Sequence, residues 1–148
     1  YRSSTDPMKV ILYQPQIPQN TGTIVRTCAA TGSELILVRP LGFSTTSRHL
    51  KRAGLDYWDG VTVQEIDDLI LYLEGKEDFF FFSSKAKKQY ERTHFSKESI
   101  LIFGSETTGL PSFYSEKWPD RFLTLPMRQG HRCLNLACSV SIALYEAW

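Results

Sequence analysis

Ile100-Leu101-Ile102-Phe103-Gly104-Ser105-Glu106-Thr107-Thr108-Gly109-Leu110-Pro111 is the stretch on which the fold turns. Its first four residues are apolar without a break. A strand with one wet face alternates, whereas a continuous short run fits a strand covered on both faces. Gly104 and Gly109 then allow close backbone approach and positive φ. Pro111 suits the first turn of a helix, where its missing N–H is no loss, and that helix is predicted to run to about Trp118. Ligands of open α/β sheets bind beyond the carboxyl ends of strands, which is where this loop falls. As a local signal, the segment fits a plain strand-to-helix turn as well as a ligand loop.

The same pattern extends in both directions. Val10–Tyr13 is a β-branched and aromatic run, stopped by Gln14–Pro18, where two prolines forbid helix. Asn20 can cap a helix to about Thr31, closed by Gly32. Leu35–Val38 is a second buried strand, stopped by Pro40. Ser47–Ala53 reads as a short helix closed by Gly54, and Val61–Val63 as a brief strand. Ile66, Leu69, Ile70 and Leu73 have helical spacing, ending near Gly75. Phe79–Phe82 is a third apolar strand before Ile100–Phe103, and Phe122–Leu125 a fifth. Leu134–Trp148 is the last helix. Apolar strands separated by helices predict an α/β fold with a mainly parallel sheet and helices on both faces.

The chain has 148 residues, which suits one domain with one core, here residues 8–148. Tyr1–Pro7 is polar, has no apolar h-region, and reads as a tag or flexible leader. No apolar stretch approaches the ~20 residues that cross a bilayer, so no membrane role is expected. Cys28, Cys133 and Cys138 form no paired C-x-x-C, and the histidines are scattered, so reduced cytoplasmic thiols and no metal are the expectation. The net charge is +1, but its distribution is uneven. Acid-free intervals hold Arg39, Arg48, Lys51 and Arg52, then Lys85, Lys87 and Lys88, then Arg121, Arg128 and Arg132. If these segments converge, they present a basic face to a polyanion; otherwise they are separate solvated charges.

A parallel sheet invites a dinucleotide site, yet no G-x-G occurs, and G-x-x-x-x-G-K-[ST] is also missing. Three other segments stand out. The first is Asn20-Thr21-Gly22-Thr23-Ile24-Val25-Arg26. The second is Phe103–Pro111. The third is Leu125-Pro126-Met127, a polar loop Arg128–Arg132, and then Cys133-Leu134-Asn135-Leu136-Ala137-Cys138-Ser139-Val140-Ser141-Ile142-Ala143. In this order they closely resemble the three motifs of the SpoU–TrmD (SPOUT) methyltransferase superfamily. Within it, the chain looks most like the single-domain enzymes that methylate the wobble ribose of tRNA, at cytidine or uridine. Tyr13–Gly22, Arg52–Trp58 and Tyr145–Trp148 add further matches, so the likeness runs from Met8 to Trp148.

The resemblance implies a C-terminal trefoil knot, a property that periodicity does not reveal. It implies a homodimer with the site completed across the interface, and S-adenosylmethionine as donor, leaving S-adenosylhomocysteine. It places main-chain donor contacts at Phe82, Gly104, Leu125 and Cys133, with Met127, Leu134 and Asn135 in the same segment. Family members often carry serine where this chain has Cys133; a backbone contact survives that change and a hydroxyl bond does not. Arg26 matches the family's catalytic arginine. A guanidinium stays protonated, with pKa above ~12, so a phosphate grip and stabilisation of negative charge suit it better than a base role. Asn20 is expected to orient Arg26 or the ribose, unless it is a helix cap. Arg132 and Tyr145 match positions facing RNA or the site, with core packing the alternative for Tyr145. Glu106 is expected to fix its loop. Lys51, Arg52, Lys85, Lys87 and Lys88 are candidates for phosphate contacts, and an anticodon loop offers splayed bases. Competing readings are the same fold acting on ribosomal RNA or another tRNA nucleotide, and an inactive knotted RNA-binding protein.

Overall fold

The structure is a computed structural model that describes residues 8–42, 61–83, 95, 98–106, 108–124 and 136–147. The described residues form strands β1 (Lys9–Tyr13), β2 (Glu34–Val38), β3 (Val63–Ile66), β4 (Phe79–Phe82), β5 (Ile100–Phe103) and β6 (Phe122–Leu123), together with helices. These are α1 (Pro18–Thr31), α2 (Leu69–Leu73), α3 (Ser112–Lys117) and α4 (Leu136–Ala147), with a 3-10 turn at Pro119–Arg121. The strands form one sheet in the order β3-β2-β1-β5-β4-β6, and all pairs are parallel.

The register explains why the strand sequences are apolar throughout. Ile11 pairs with Ile36 on one side and Ile102 on the other, and Leu12 with Leu37 and Phe103. Val10, Leu12, Leu35, Leu37, Leu101 and Phe103 pack on one face, under Ile24, Val25 and Cys28 of α1 and Val140, Ala143 and Leu144 of α4. Ile11, Ile36, Phe79, Phe81, Ile100 and Ile102 pack on the other, under Leu69 and Leu73 of α2 and Tyr114 of α3. Each such side chain contributes about 1.5–3 kcal/mol on full burial, so neither face can be given up. The expected α/β sheet with helices on both faces is therefore found.

Several boundaries moved. α1 starts at Pro18 with Ile17 as its flanking residue, so Asn20 lies inside the first turn and is not the cap. Gly32 does end α1, at φ 70°, donating its N–H to the Cys28 carbonyl. The strand expected at Val61–Val63 is Val63–Ile66, which takes Ile66 from the expected helix. That helix begins at Leu69 because Asp68 caps it, its carboxylate accepting from Leu71 N at 3.1 Å. Pro111 has an extended backbone and precedes α3. The proposed helix Ser47–Ala53, residues 1–7, and the segment 125–135 through which the C-terminal threading would run lie outside the described residues.

Candidate active site

β1 has β2 on one side and β5 on the other, so the loops after β1 and β5 leave the sheet where the connection direction reverses. In open α/β sheets, ligands bind at such a point. Phe82 ends β4 beside it: its ring stacks on that of Phe103 with centroids 4.9 Å apart, and Ser83 N donates to the Leu123 carbonyl at 2.9 Å. The carboxyl ends of β4, β5 and β6 are thus level, with Phe82 and Gly104 on one edge.

The loop after β5 is closed on itself. Ser105 and Gly109 exchange backbone hydrogen bonds of 3.3 and 3.0 Å, and Ser105 Oγ accepts from Thr108 N at 3.0 Å. Gly104 has no room for a side chain, since a Cβ there would lie 2.5 Å from the Gly109 carbonyl carbon and 2.7 Å from Leu110 N. Gly109 needs its freedom for another reason, a φ of 66°.

The loop after β1 is equally constrained. Gln14 adopts φ 48°, a left-handed conformation costing a side-chain-bearing residue roughly 1–2 kcal/mol. It is held there: Gln14 N donates to Val38 O at 3.0 Å, and Gln14 O accepts from Gln16 Nε2 at 2.9 Å. Gly42, after β2, donates its N–H to Pro15 O at 2.9 Å. Across the crevice, Glu106 Oε1 accepts from Gln16 N at 2.9 Å. Its Oε2 accepts from Ile17 N at 2.8 Å and from Asn20 Nδ2 at 3.3 Å. Asn20 is only 8% exposed, so its side chain belongs to this buried junction.

Arg26 stands apart from it. Six residues advance a helix by ~9 Å and about two-thirds of a turn, so Arg26 does not share the face of Asn20. It lies with Gln19, Thr23 and Ala30 on the exposed stripe of α1. The neighbouring Thr27 hydroxyl is 3.2 Å from that of Ser141 on α4. One turn after Ser141, Tyr145 is 50% exposed. Arg26 and Tyr145 therefore border the outer side of the α1–α4 layer.

A sequence pattern for the SpoU rRNA Methylase family matches residues 7–145. The chain belongs to that family. A Geobacillus stearothermophilus relative, provisionally named a tRNA (cytidine(34)-2′-O)-methyltransferase, is 46% identical over 95% of this chain and 92% of its own. A Methylovorus glucosotrophus protein named tRNA (cytidine(34)-2′-O)-methyltransferase is 41% identical over 94% of this chain and 92% of its own. A solved structure described as concerning 2-OH methylation of C/U34 on tRNA is 39% identical. It covers 97% of this chain and 95% of its own, at TM-score 0.88. The Streptomyces viridochromogenes SpoU methyltransferase AviRb, solved with AdoMet, shares the fold at TM-score 0.84 and 20% identity, over 99% of this chain and 58% of that one.

Of the positions that the resemblance assigns to donor or RNA, Phe82 and Gly104 lie together at the carboxyl ends of the paired strands β4 and β5. Leu125, Met127, Arg132, Cys133, Leu134 and Asn135 lie outside the described residues, as do Arg48, Lys51, Arg52, Lys85, Lys87, Lys88 and Arg128. Two cations of the acid-free intervals are already engaged. Arg39 forms a two-point pair with Asp67, at 2.8 and 2.9 Å. Arg121 precedes β6, at the opposite edge, and donates to the carbonyls of Glu77 and Phe79 while covering the Phe79 ring. Among the described residues no group of three His, Cys, Asp or Glu could hold a metal. Burial pushes the Cys28 thiol up to about 12, which makes it inert. Sequence reasoning missed the partners of Glu106, the strain at Gln14, and Thr21, whose buried hydroxyl has no partner among the described residues. The signal in the sequence for the Glu106 junction is an acid inside a glycine-bounded loop that follows a buried strand.

Proposed function

We propose that this chain transfers a methyl group from S-adenosylmethionine to the ribose 2′-hydroxyl of the tRNA wobble nucleotide, cytidine or uridine. Relatives named for that modification, at 41% identity over nearly the whole chain, support the substrate. The structural observation that carries the reading is the junction at Glu106, which joins the Gly104 loop to the helix bearing Asn20 and Arg26. Phe82 and Phe103, stacked and buried, make a rigid apolar support beside the side-chain-free Gly104, which suits main-chain contacts to the donor. When bound, the donor supplies an electrophilic methyl on a sulfonium. Gly104 and Phe82 would hold it, and Leu125, Met127, Cys133, Leu134 and Asn135 would complete the cradle in the C-terminal segment that the resemblance implies is knotted. The Arg26 guanidinium grips the phosphate next to the target ribose and stabilises negative charge developing on the oxygen. Positioning of the two reactants supplies much of the rate.

The protein works as a homodimer in the cytoplasm. Support comes from the outward placement of Arg26 and Tyr145: a second copy packed on the α1–α4 layer brings these side chains towards the partner's crevice. Ile142, 42% exposed on α4, gives that layer an apolar contact. Arg132 and Tyr145 then face the anticodon region of the tRNA.

The test is transfer of labelled methyl to total tRNA, followed by nucleoside mapping. A 2′-O-methyl at the wobble position is expected. Label at another tRNA position, or only in ribosomal RNA, replaces the substrate reading by its rival. Arg26→Lys is expected to lose activity at saturating donor and RNA, and full activity refutes the assigned role.

A further inference from the structure

Glu106 contributes something that the reaction outlined above does not use. α1 starts with a proline, and its flanking residue Ile17 offers no side-chain cap. The opening of a helix is nevertheless its positive end, with N–H groups that need acceptors. Here the acceptor comes from elsewhere in the chain, 86 to 90 residues away in sequence. One carboxylate takes the N–H groups of Gln16 and Ile17 and the amide of Asn20. The loop supplying it is stiff, because Ser105 pairs with Gly109 and bonds Thr108 on the far side. A shift of the main chain at Gly104, two residues before Glu106, therefore moves the carboxylate rather than dissipating in the loop.

We infer that Glu106 is a positioning residue: it sets the start of α1, with Asn20, against the donor loop, so that donor occupancy is transmitted to the helix that carries Arg26. The inference rests on the reading of the crevice as a methyl-transfer site. It also assigns Asn20 to the alignment of this junction in place of the capping role suggested by its residue type.

Glu106→Gln keeps the size and removes the charge and one acceptor. In the full-length protein, kcat for tRNA is expected to fall about tenfold to a hundredfold, with KM for donor and tRNA held within about twofold. Hydrogen exchange gives an independent reading. Added S-adenosylmethionine is expected to slow the amides of Gln16 and Ile17 in the wild type and not in Glu106→Gln. Glu106→Asp, which retains the charge at shorter reach, is expected to recover part of kcat, and it serves alone if the glutamine variant does not fold. An unchanged kcat in the folded variant, a loss confined to KM, or donor-induced slowing that persists without the carboxylate overturns the inference. A wild-type chain that transfers no methyl to tRNA sinks the proposed reaction instead; the exchange measurement, which needs donor alone, then judges Glu106 separately.

Discussion

Gly104→Ala tests the crevice most directly. The added Cβ would lie 2.5, 2.7 and 2.8 Å from Gly109 C, Leu110 N and Gly109 Cα, all backbone atoms. Comfortable carbon contacts lie near 3.5–4.0 Å, so the two chain segments must separate by about 1 Å. No flexible side chain can yield, and the Ser105–Gly109 pairing ties the obstructing residues to the same loop. The cost therefore falls at the upper end of the overpacking range, about 3 kcal/mol. For a chain of 148 residues this lowers Tm by roughly 6–12 °C. Donor at a hundred times its Kd stabilises the wild type by about 2.7 kcal/mol, and that shift should largely vanish in the variant. Thermal melts followed by circular dichroism, with and without S-adenosylmethionine, measure both effects. Gly109→Ala is the control. Nothing lies within 4 Å of its Cβ, so only the φ of 66° opposes it, at roughly 1–2 kcal/mol. If Gly104→Ala melts with the wild type, or keeps the donor shift better than Gly109→Ala, the account of this edge is wrong.

Thr21→Val removes a buried hydroxyl that has no partner among the described residues, so chemical denaturation should show it more stable by about 1 kcal/mol; a clear loss of stability contradicts this. Arg39→Gln should leave the salt dependence of tRNA binding unchanged because Asp67 already occupies the guanidinium, whereas Arg26→Gln should reduce the slope of log K against log salt by about one. Cys28 ionises at about 12 in the fold against 9.0 ordinarily, because burial disfavours the thiolate. The unfolded chain thus loses this proton first. The contribution is intact below pH 9 and declines above it by at most about 1.4 kcal/mol per pH unit; Cys28→Ala should remove that part of the alkaline slope, most cleanly between pH 9 and 10, above which Tyr72 and Tyr114, also pushed up by burial, add a loss of the same sign.

Phe79–Phe82 and Ile100–Phe103 were legible to the residue because strands covered on both faces admit only apolar side chains along their whole length. β3 was misplaced because it is an edge strand, with exposed Gln64 and half-buried Glu65, and carries a weaker pattern. Asn20 reads equally well as a cap or as a site residue because local spacing records residue type and not the approach of Glu106 from the loop after the neighbouring strand β5. Arg39 and Arg121 counted as free cations for the same reason. Their partners are an acid beyond β3 and the carbonyls of Glu77 and Phe79 at the start of β4, brought near by the sheet and not by sequence proximity. The site's ingredients were therefore readable from the motifs, while their wiring depended on strand order.

That strand order also bears on the birth of the protein. The first half-sheet, β3-β2-β1, can assemble once Ile66 has been made, but the other edge of β1 waits for β5. At about 5–20 residues per second, synthesis from Ile66 to Phe103 takes roughly 2–7 s. Throughout that interval Val10, Ile11 and Leu12 present an unpaired apolar edge, the kind of surface on which nascent chains join one another. Slowed synthesis between β3 and β5 lengthens the exposure, so yield in the cell should depend on the pace of translation there as much as on the stability of the finished fold.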